Sequence, residues 1–134
     1  MTDHALRKHP VSVAGLLALI SVPIHLFLPS DVSYAFAALL ISLIAGIYVG
    51  FAVVADDISQ IALQLAVALS FMSSALIAWL VSPVWIAAVY VAHGVWDAAH
   101  HFEISQTRFP KWYIPFCAFY DVIAGLGLFL IWTW

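Results

Sequence analysis

The sequence predicts an all-α membrane protein, an antiparallel bundle of five transmembrane helices with a cytoplasmic N-terminus. Hydrophobic residues make up 66% of the chain and charged residues 8%, whereas soluble domains carry about 25% charged residues. The apolar residues fall in five runs, each long enough for a hydrocarbon core of about 30 Å. We therefore predict one transmembrane domain over residues 1–134, with no room for a separate soluble domain.

The first predicted span covers residues 11–28 and follows a short polar tail. Pro23 should kink it near its far end, because a proline inside a helix removes a backbone hydrogen bond. The basic pair Arg7-Lys8 ahead of this run resembles the start of a secretory signal. The run is longer than a typical signal core and further spans follow at once, so we predict a retained helix.

The second predicted span, residues 34–54, carries two glycines four positions apart, Gly46 and Gly50. Such small-xxx-small pairs let helices approach closely. This pair predicts a face for self-association. The third predicted span, residues 61–81, ends at Pro83, since a proline restricts the residue before it and cannot continue a helix.

The fourth and fifth predicted spans cover residues 84–102 and 111–134. The fifth ends in Trp132 and Trp134, which are typical of an interfacial aromatic anchor. With the N-terminus inside, the tail and the loop after the fourth span are cytoplasmic. All four basic residues of the chain then lie on this side, as the positive-inside rule requires.

The fourth span concentrates ionisable residues, which are costly in hydrocarbon and are functional candidates by default. On a helical wheel of 100° per residue its polar side chains share one arc about 100° wide. They are Tyr90, His93, Asp97, His100 and His101. The arc is predicted to face the interior of the bundle.

The fifth span supplies a partner for this arc. Folding it back from the loop places Asp121 level with residue 92 and Cys117 level with Trp96. At 1.5 Å per residue, Asp121 lies about 15 Å from the start of the span, near the middle of the bilayer. His93 is its predicted partner.

Three interpretations of these residues stay open. The first is a site for zinc, iron or manganese, which imidazoles and carboxylates suit. Since His93 and His101 lie about 12 Å apart along the axis, one ion cannot take every candidate. The candidate ligands are His93, Asp97, His100, His101 and Asp121. The favoured sets are His93, Asp97 and Asp121, or Asp97 and His100/His101 with Asp57.

The second interpretation is acid–base chemistry or proton relay without a metal, in which a buried Asp–His pair holds a proton near neutral pH. His93, Asp97 and Asp121 are then the predicted catalytic residues acting on a lipophilic substrate. The third is purely structural, with the polar residues joining helices. Smaller features count for less: His25 is predicted to be interfacial, and Cys117, the single cysteine, cannot form an intrachain disulfide.

Two blocks of sequence carry a resemblance to a known family. His93-Gly94-Val95-Trp96-Asp97-Ala98-Ala99-His100-His101 and Trp112-Tyr113-Ile114-Pro115-Phe116-Cys117-Ala118-Phe119-Tyr120-Asp121 have the pattern HGxWDxxHH … WYxPFCxxYD. Together with the Gly46–Ala52 segment they resemble a family of small uncharacterised bacterial integral membrane proteins. The resemblance implies a multi-pass protein of the bacterial inner (plasma) membrane and brings no activity with it.

A second resemblance is to the histidine boxes of membrane di-iron desaturases and hydroxylases. Asp97-Ala98-Ala99-His100-His101 has the shape of one such box, with aspartate in the leading place. Those enzymes carry several boxes, and this chain has one fragment. A di-iron oxygenase would therefore need a homodimer to supply the remaining ligands.

These observations predict a small membrane-embedded enzyme that acts on a lipophilic substrate through an intramembrane His/Asp site, assisted by a divalent metal. The alternatives are a transport or proton-conducting protein, or an accessory subunit of a larger membrane complex. The expected partners are the lipid bilayer, a lipophilic small molecule, and a second copy or a larger complex. Nucleic acid is not an expected partner, since the chain has only four lysines and arginines.

Overall fold

The computed structural model describes residues 2–55, 57–100, 102 and 108–134. Within these residues the chain is mostly helical. The helices are α1 (Thr2–Lys8), α2 (Pro10–Ile24), α3 (Ser30–Ala55), α4 (Ile58–Val81), α5 (Trp85–His100) and α6 (Tyr113–Thr133). A 3-10 turn, His25–Phe27, extends α2 just after Pro23.

Four stretches of helix in the described residues are long and apolar enough to cross a membrane. They are Pro10–Phe27, Ser30–Val54, Ile58–Val81 and Tyr113–Thr133. The architecture is thus that of an all-α protein with the helices of a membrane protein, as the composition predicts.

In the described residues, the fourth predicted span forms helix α5. Helix α5 has 16 residues, or about 24 Å at 1.5 Å per residue. Its start is delayed because Pro83 and Val84 form the turn from α4, in which the Ile86 amide donates to the Pro83 carbonyl at 3.0 Å. The predicted polar tail also differs from expectation, since it contains helix α1.

The interior of the bundle is built mainly from small side chains. Alanines contribute many of the buried positions, including Ala14, Ala37 and Ala75, each with no exposed surface. Large apolar side chains point outwards instead, for example Phe27 at 86% and Val54 at 86% exposure. Small residues at helix contacts and large apolar residues outside are typical of helices surrounded by lipid.

Helix α5 packs against α6, α4 and α3, and α6 packs in turn against α2. Helices α2 and α6 run in the same direction. Gly15 faces Phe119 near one end, and Gly127 faces Val22 near the other. The start of α2 and the start of α6 therefore lie at the same end of the bundle.

Two glycines let α5 and α6 approach closely. A Cβ added to Gly94 would lie 2.9 Å from the Ala118 carbonyl oxygen, and one added to Gly125 would lie 2.7 Å from the Ala87 carbonyl oxygen. Real Cβ atoms do not tolerate such contacts. By contrast, a Cβ at Gly46 or Gly50 would meet nothing within 4 Å, so this predicted pair does not serve a close helix contact among the described residues.

Polar side chains link the start of α3 to its neighbours. At its start, Ser33 lies 2.8 Å from His25 Nδ1, and Trp132 Nε1 donates to the Ser33 hydroxyl at 3.0 Å. His25 is therefore buried in a link between α2, α3 and α6. It lies near the end of the first predicted span, and its interfacial depth in the membrane stays a prediction. Beyond the far end of α3, Asp57 caps helix α4.

The cap at Asp57 is formed with Ser59. The Ser59 hydroxyl and backbone N–H both donate to Asp57 Oδ1, at 2.8 Å and 2.9 Å. These hydrogen bonds stabilise the ionised carboxylate and lower the pKa of Asp57, the hydroxyl contributing most. Such a cap satisfies an amide that the first helical turn leaves without a partner, and it explains why α4 begins at Ile58, before the predicted span.

Candidate functional site

Three buried ionisable residues converge between α5 and α6. His93, Asp97 and Asp121 each offer one ligand atom, and these atoms all lie within 4.8 Å of one another. The exposed fraction of each side chain is 1% or less. We refer to His93, Asp97 and Asp121 as the triad.

One nitrogen of His93 faces both carboxylates. Nδ1 lies 2.8 Å from Asp121 Oδ2, a hydrogen-bond distance, and 3.6 Å from Asp97 Oδ2. Asp97 lies one helical turn after His93, and Asp121 lies across the helix contact. The pairing of His93 with Asp121 that the hairpin register predicts is confirmed.

The two carboxylates are only partly satisfied. Asp97 Oδ2 and Asp121 Oδ1 have no hydrogen-bond partner among the described residues, although both are buried. Buried polar atoms nearly always have a partner, and a buried carboxylate is costly unless it is paired or coordinates a cation. One of these oxygens, Asp97 Oδ2, lies 3.6 Å from His93 Nδ1, and the other belongs to the carboxylate that pairs with the same nitrogen. The arrangement therefore indicates a place for a cation or for protons.

Tyr48 of α3 belongs to this site, although it was not among the predicted site residues. Its hydroxyl donates to Asp97 Oδ1, its side chain is 1% exposed, and its ring meets His93 edge-on at 5.6 Å between centroids. The available signal was a tyrosine well inside a mostly apolar span, because a buried hydroxyl usually needs a partner. Its hydrogen bond leaves Asp97 Oδ2 facing His93.

The remaining predicted ligands lie outside the triad. His100 is half-buried, with Nδ1 3.0 Å from the Trp96 carbonyl oxygen and Nε2 3.3 Å from Gln64 Nε2. Asp57 caps α4, as described above. His101 lies outside the described residues. The set His93, Asp97 and Asp121 is thus the predicted ligand set that the structure brings together.

Aromatic rings cover the triad on the side of His100. The ring of Tyr48 lies 4.9 Å from that of Phe109 and 5.9 Å from that of Tyr113, between centroids. Phe109 also meets His100 at 5.2 Å. Cys117 packs beside Tyr48 and Tyr113 in this apolar cluster. These rings contribute to the burial of the triad, whose side chains are each 1% exposed or less.

Phe71 of α4 covers the triad from another direction, with its ring 4.7 Å from that of His93. The imidazole is thus held between the Phe71 and Tyr48 rings, both of which meet it edge-on. One aromatic wall, Tyr48, carries a hydroxyl into the site, and the other is apolar. The two sides of the triad therefore differ in chemistry.

Comparisons of the chain with protein-family models, with curated proteins and with solved structures find no match. The chemistry of the triad itself then decides what the site can do. Two carboxylates and a neutral imidazole together carry two negative charges. A buried site of this kind is balanced by one divalent cation or by two protons, and each choice corresponds to a different function.

Proposed function

We propose that the protein is a small membrane-embedded enzyme that acts on a lipophilic substrate, and that His93, Asp97 and Asp121 hold a divalent metal ion. The observation that supports this is the buried triad, with three ligand atoms within 4.8 Å and two carboxylate oxygens that lack hydrogen-bond partners. Intramembrane ionisable residues at a helix contact are functional candidates by default.

The donor set fits zinc, manganese or iron. Neutral imidazole nitrogen and carboxylate oxygen are ligands for all three metals. Tyr48 supports this assignment, because its hydrogen bond to Asp97 Oδ1 fixes the carboxylate and leaves Oδ2 towards His93. Hydrogen bonds of this kind commonly orient ligating carboxylates.

The triad and the aromatic rings around it would have different roles in the proposed reaction. Three protein ligands leave room for a water or a substrate oxygen, and a bound divalent ion would polarise that group. The aromatic cluster around Tyr48, Phe109 and Tyr113 excludes bulk water, which strengthens electrostatic interactions in the site. A triad carboxylate within hydrogen-bond reach of that polarised group could accept or return a proton through the oxygen that does not hold the ion.

Elemental analysis of purified protein tests the metal site. We expect wild-type protein, incubated with zinc, manganese or iron salts and freed of excess metal, to retain one of them in stoichiometric amount. Asp97→Asn and Asp121→Asn keep the side-chain shape and remove the charge, so both should lose the metal. His25→Gln alters a buried histidine far from the triad and serves as the control.

Wild-type protein that binds none of the three metals overturns the metal site. Retention of metal by both asparagine variants also overturns it, because the ligands would then lie elsewhere. Loss of metal in the His25→Gln control, with its fold intact, would place the ion at the other end of the bundle.

Proton transfer is the second candidate function. It is favoured by the position of His93 Nδ1, which lies 2.8 Å from one carboxylate and 3.6 Å from the other. A proton on that nitrogen can be shared between two acceptors. Reconstitution in vesicles with an internal pH dye tests it: a proton flux that Asp97→Asn abolishes, in protein free of metal, would favour this function over the enzyme.

We infer a five-span topology with the N-terminus inside, in which α5 is the fourth crossing. The support is the parallel packing of α2 and α6. With α3 and α4 both crossing between them, α6 can run parallel to α2 only if α5 also returns across the membrane. The same arrangement brings Arg7, Lys8, Arg108 and Lys111 to one end, in agreement with the positive-inside rule. The family resemblance favours the inner membrane of a bacterium.

A further inference from the structure

An open groove runs between α4 and α5 on the outside of the bundle, with a cavity volume of about 420 Å³. Its lining is apolar apart from one hydroxyl. The lining residues that matter here are Phe71, Ser74 and Ile77 of α4 and Trp85, Ala88 and Ala92 of α5. A groove of this composition on helices that cross a bilayer is in contact with lipid chains rather than with water.

The groove leads to the triad. Phe71 lines its inner end and is also in ring contact with His93, at 4.7 Å between centroids. Ala92, the residue before His93, lines the same end. The half-buried side chain of Phe71 thus contacts both the groove and the imidazole.

The shape of the groove suits one extended chain. Along α5 it reaches from Trp85 to Ala92, seven residues or about 10 Å at 1.5 Å per residue. Ala88 and Ala92 provide depth because their side chains are small. The groove follows the helix axis from the α4–α5 turn towards the middle of the bilayer, the direction in which a lipid chain already lies.

We propose that this groove is the substrate-binding site and that its occupant is the acyl chain of a membrane lipid, with Phe71 as the side chain between the chain and His93. This inference rests on the proposed function, since it supplies the substrate of the same site. The groove between α5 and α6 has a similar volume, about 420 Å³, but Phe71 does not line it. It serves as the matched comparison.

Photolabelling tests the proposal. Purified wild-type protein in phosphatidylcholine vesicles is exposed to a trace of a long-chain fatty acid that carries a diazirine within its chain. Labelled residues are then mapped by mass spectrometry. We expect labelling of Phe71, Ser74 and Ile77, which line only the first of the two grooves. An excess of unlabelled fatty acid should remove it, because a site saturates and general lipid contact does not.

Two variants sharpen the assignment. Ser74→Phe places a ring in the α4–α5 groove, and we expect it to weaken saturable labelling about tenfold, equal to about 1.4 kcal/mol. Leu126→Phe places the same ring in the α5–α6 groove and should leave the labelling unchanged. Both positions are exposed, so both proteins should fold.

Labelling that follows exposure over all outer faces, or that no excess of fatty acid removes, overturns the proposal. So does equal labelling of wild type and Ser74→Phe. Removal by an isoprenoid alcohol but not by a fatty acid would also overturn it, because the occupant would then be a branched chain. None of these measurements needs metal or turnover, so failure of the metal site leaves the test of the groove intact.

Discussion

Asp97 has one oxygen that is satisfied and one that is not. Tyr48 donates to Oδ1, and Oδ2 has no hydrogen-bond partner among the described residues. The hydroxyl of Tyr48 therefore decides how the carboxylate is turned towards His93. A variant without this hydroxyl keeps Asp97 but no longer fixes the orientation of its carboxylate, so the effect of that orientation can be measured alone.

We expect Tyr48→Phe to destabilise the fold by about 1–3 kcal/mol, because a buried charged acceptor loses its donor. The same variant should bind metal more weakly than wild type, as its carboxylate is no longer fixed. Thermal unfolding in detergent and a metal titration measure the two effects. Tyr120→Phe is the control, since that hydroxyl lies 3.1 Å from Ser21 and outside the triad; an equal loss of metal affinity there would contradict the prediction.

Asp121 distinguishes a hydrogen-bonding role from an ionised one. Asp121→Ala removes the partner of His93 and leaves a cavity, so we expect a loss of folded yield. Asp121→Asn keeps a hydrogen-bond acceptor near Nδ1 and should restore the yield while abolishing metal retention. Size-exclusion profiles and elemental analysis report the two properties. If Asp121→Asn recovers both the folded yield and the retention of metal, the negative charge of Asp121 is not needed for metal binding, and the prediction is wrong.

Residue positions could be predicted from the sequence where the helical hairpin fixes them. The register of the hairpin gave His93 opposite Asp121 because both lie on regular helix, equally far from the loop. A helical wheel, however, gives the angular position of a side chain around the helix axis and not its position along the axis. It therefore grouped His100 with His93. Gln64 and the Trp96 carbonyl, contacts that the wheel does not describe, are the partners of His100.

At the scale of helices, the site depends on how closely α5 and α6 approach. Gly94 follows His93 directly and faces Val122, the residue after Asp121. We expect Gly94→Ala to cost about 1–3 kcal/mol through overpacking and to lengthen the contact between His93 and Asp121. Denaturant unfolding and metal retention measure these effects. Gly46→Ala meets nothing within 4 Å and should be neutral; equal damage in both variants would contradict this account.

The cap of α4 carries a pH dependence of its own. The pKa of Asp57 is lowered in the folded protein by the Ser59 hydrogen bonds, so its contribution is present above the ordinary aspartate pKa and is lost as the pH falls through the lowered value. We expect Asp57→Ala to lower the unfolding temperature at pH 7 and to match wild type in strong acid. A difference that grows as the pH falls would contradict this sign. Ser59→Ala should reproduce the effect in part.

Helices α2 to α6 were predictable because each is an apolar run between polar or proline-containing turns, whereas the polar helix α1 was not. The residues at which the helices begin and end were less predictable. Helix α4 begins at Ile58 because of the Asp57 cap, and α5 begins at Trp85 because the turn includes Val84. The hydrophobicity of the sequence alone predicts neither the cap nor the extent of the turn.

For the whole molecule, the parallel packing of α2 and α6 makes a prediction about sidedness. In a Cys117→Ala background, which removes the single cysteine, Asp31→Cys and Arg108→Cys should differ in their reaction with a membrane-impermeant maleimide. Asp31→Cys should react in intact cells, and Arg108→Cys only after permeabilisation, because the first lies at the end opposite the second. Both positions are exposed. Equal reactivity in intact cells would contradict the five-span topology.

The alanine-rich interior has a consequence for genetic screens. In lipid, an apolar side chain gains little by moving from the outside of a helix bundle to its interior, so close packing and a few polar links carry much of the specificity of association. The triad and Tyr48 are among those links. A selection for active variants would therefore recover the same residues as a selection for abundant protein. Only assays that measure both the folded yield and the activity of each variant can separate selection for folding from selection for function.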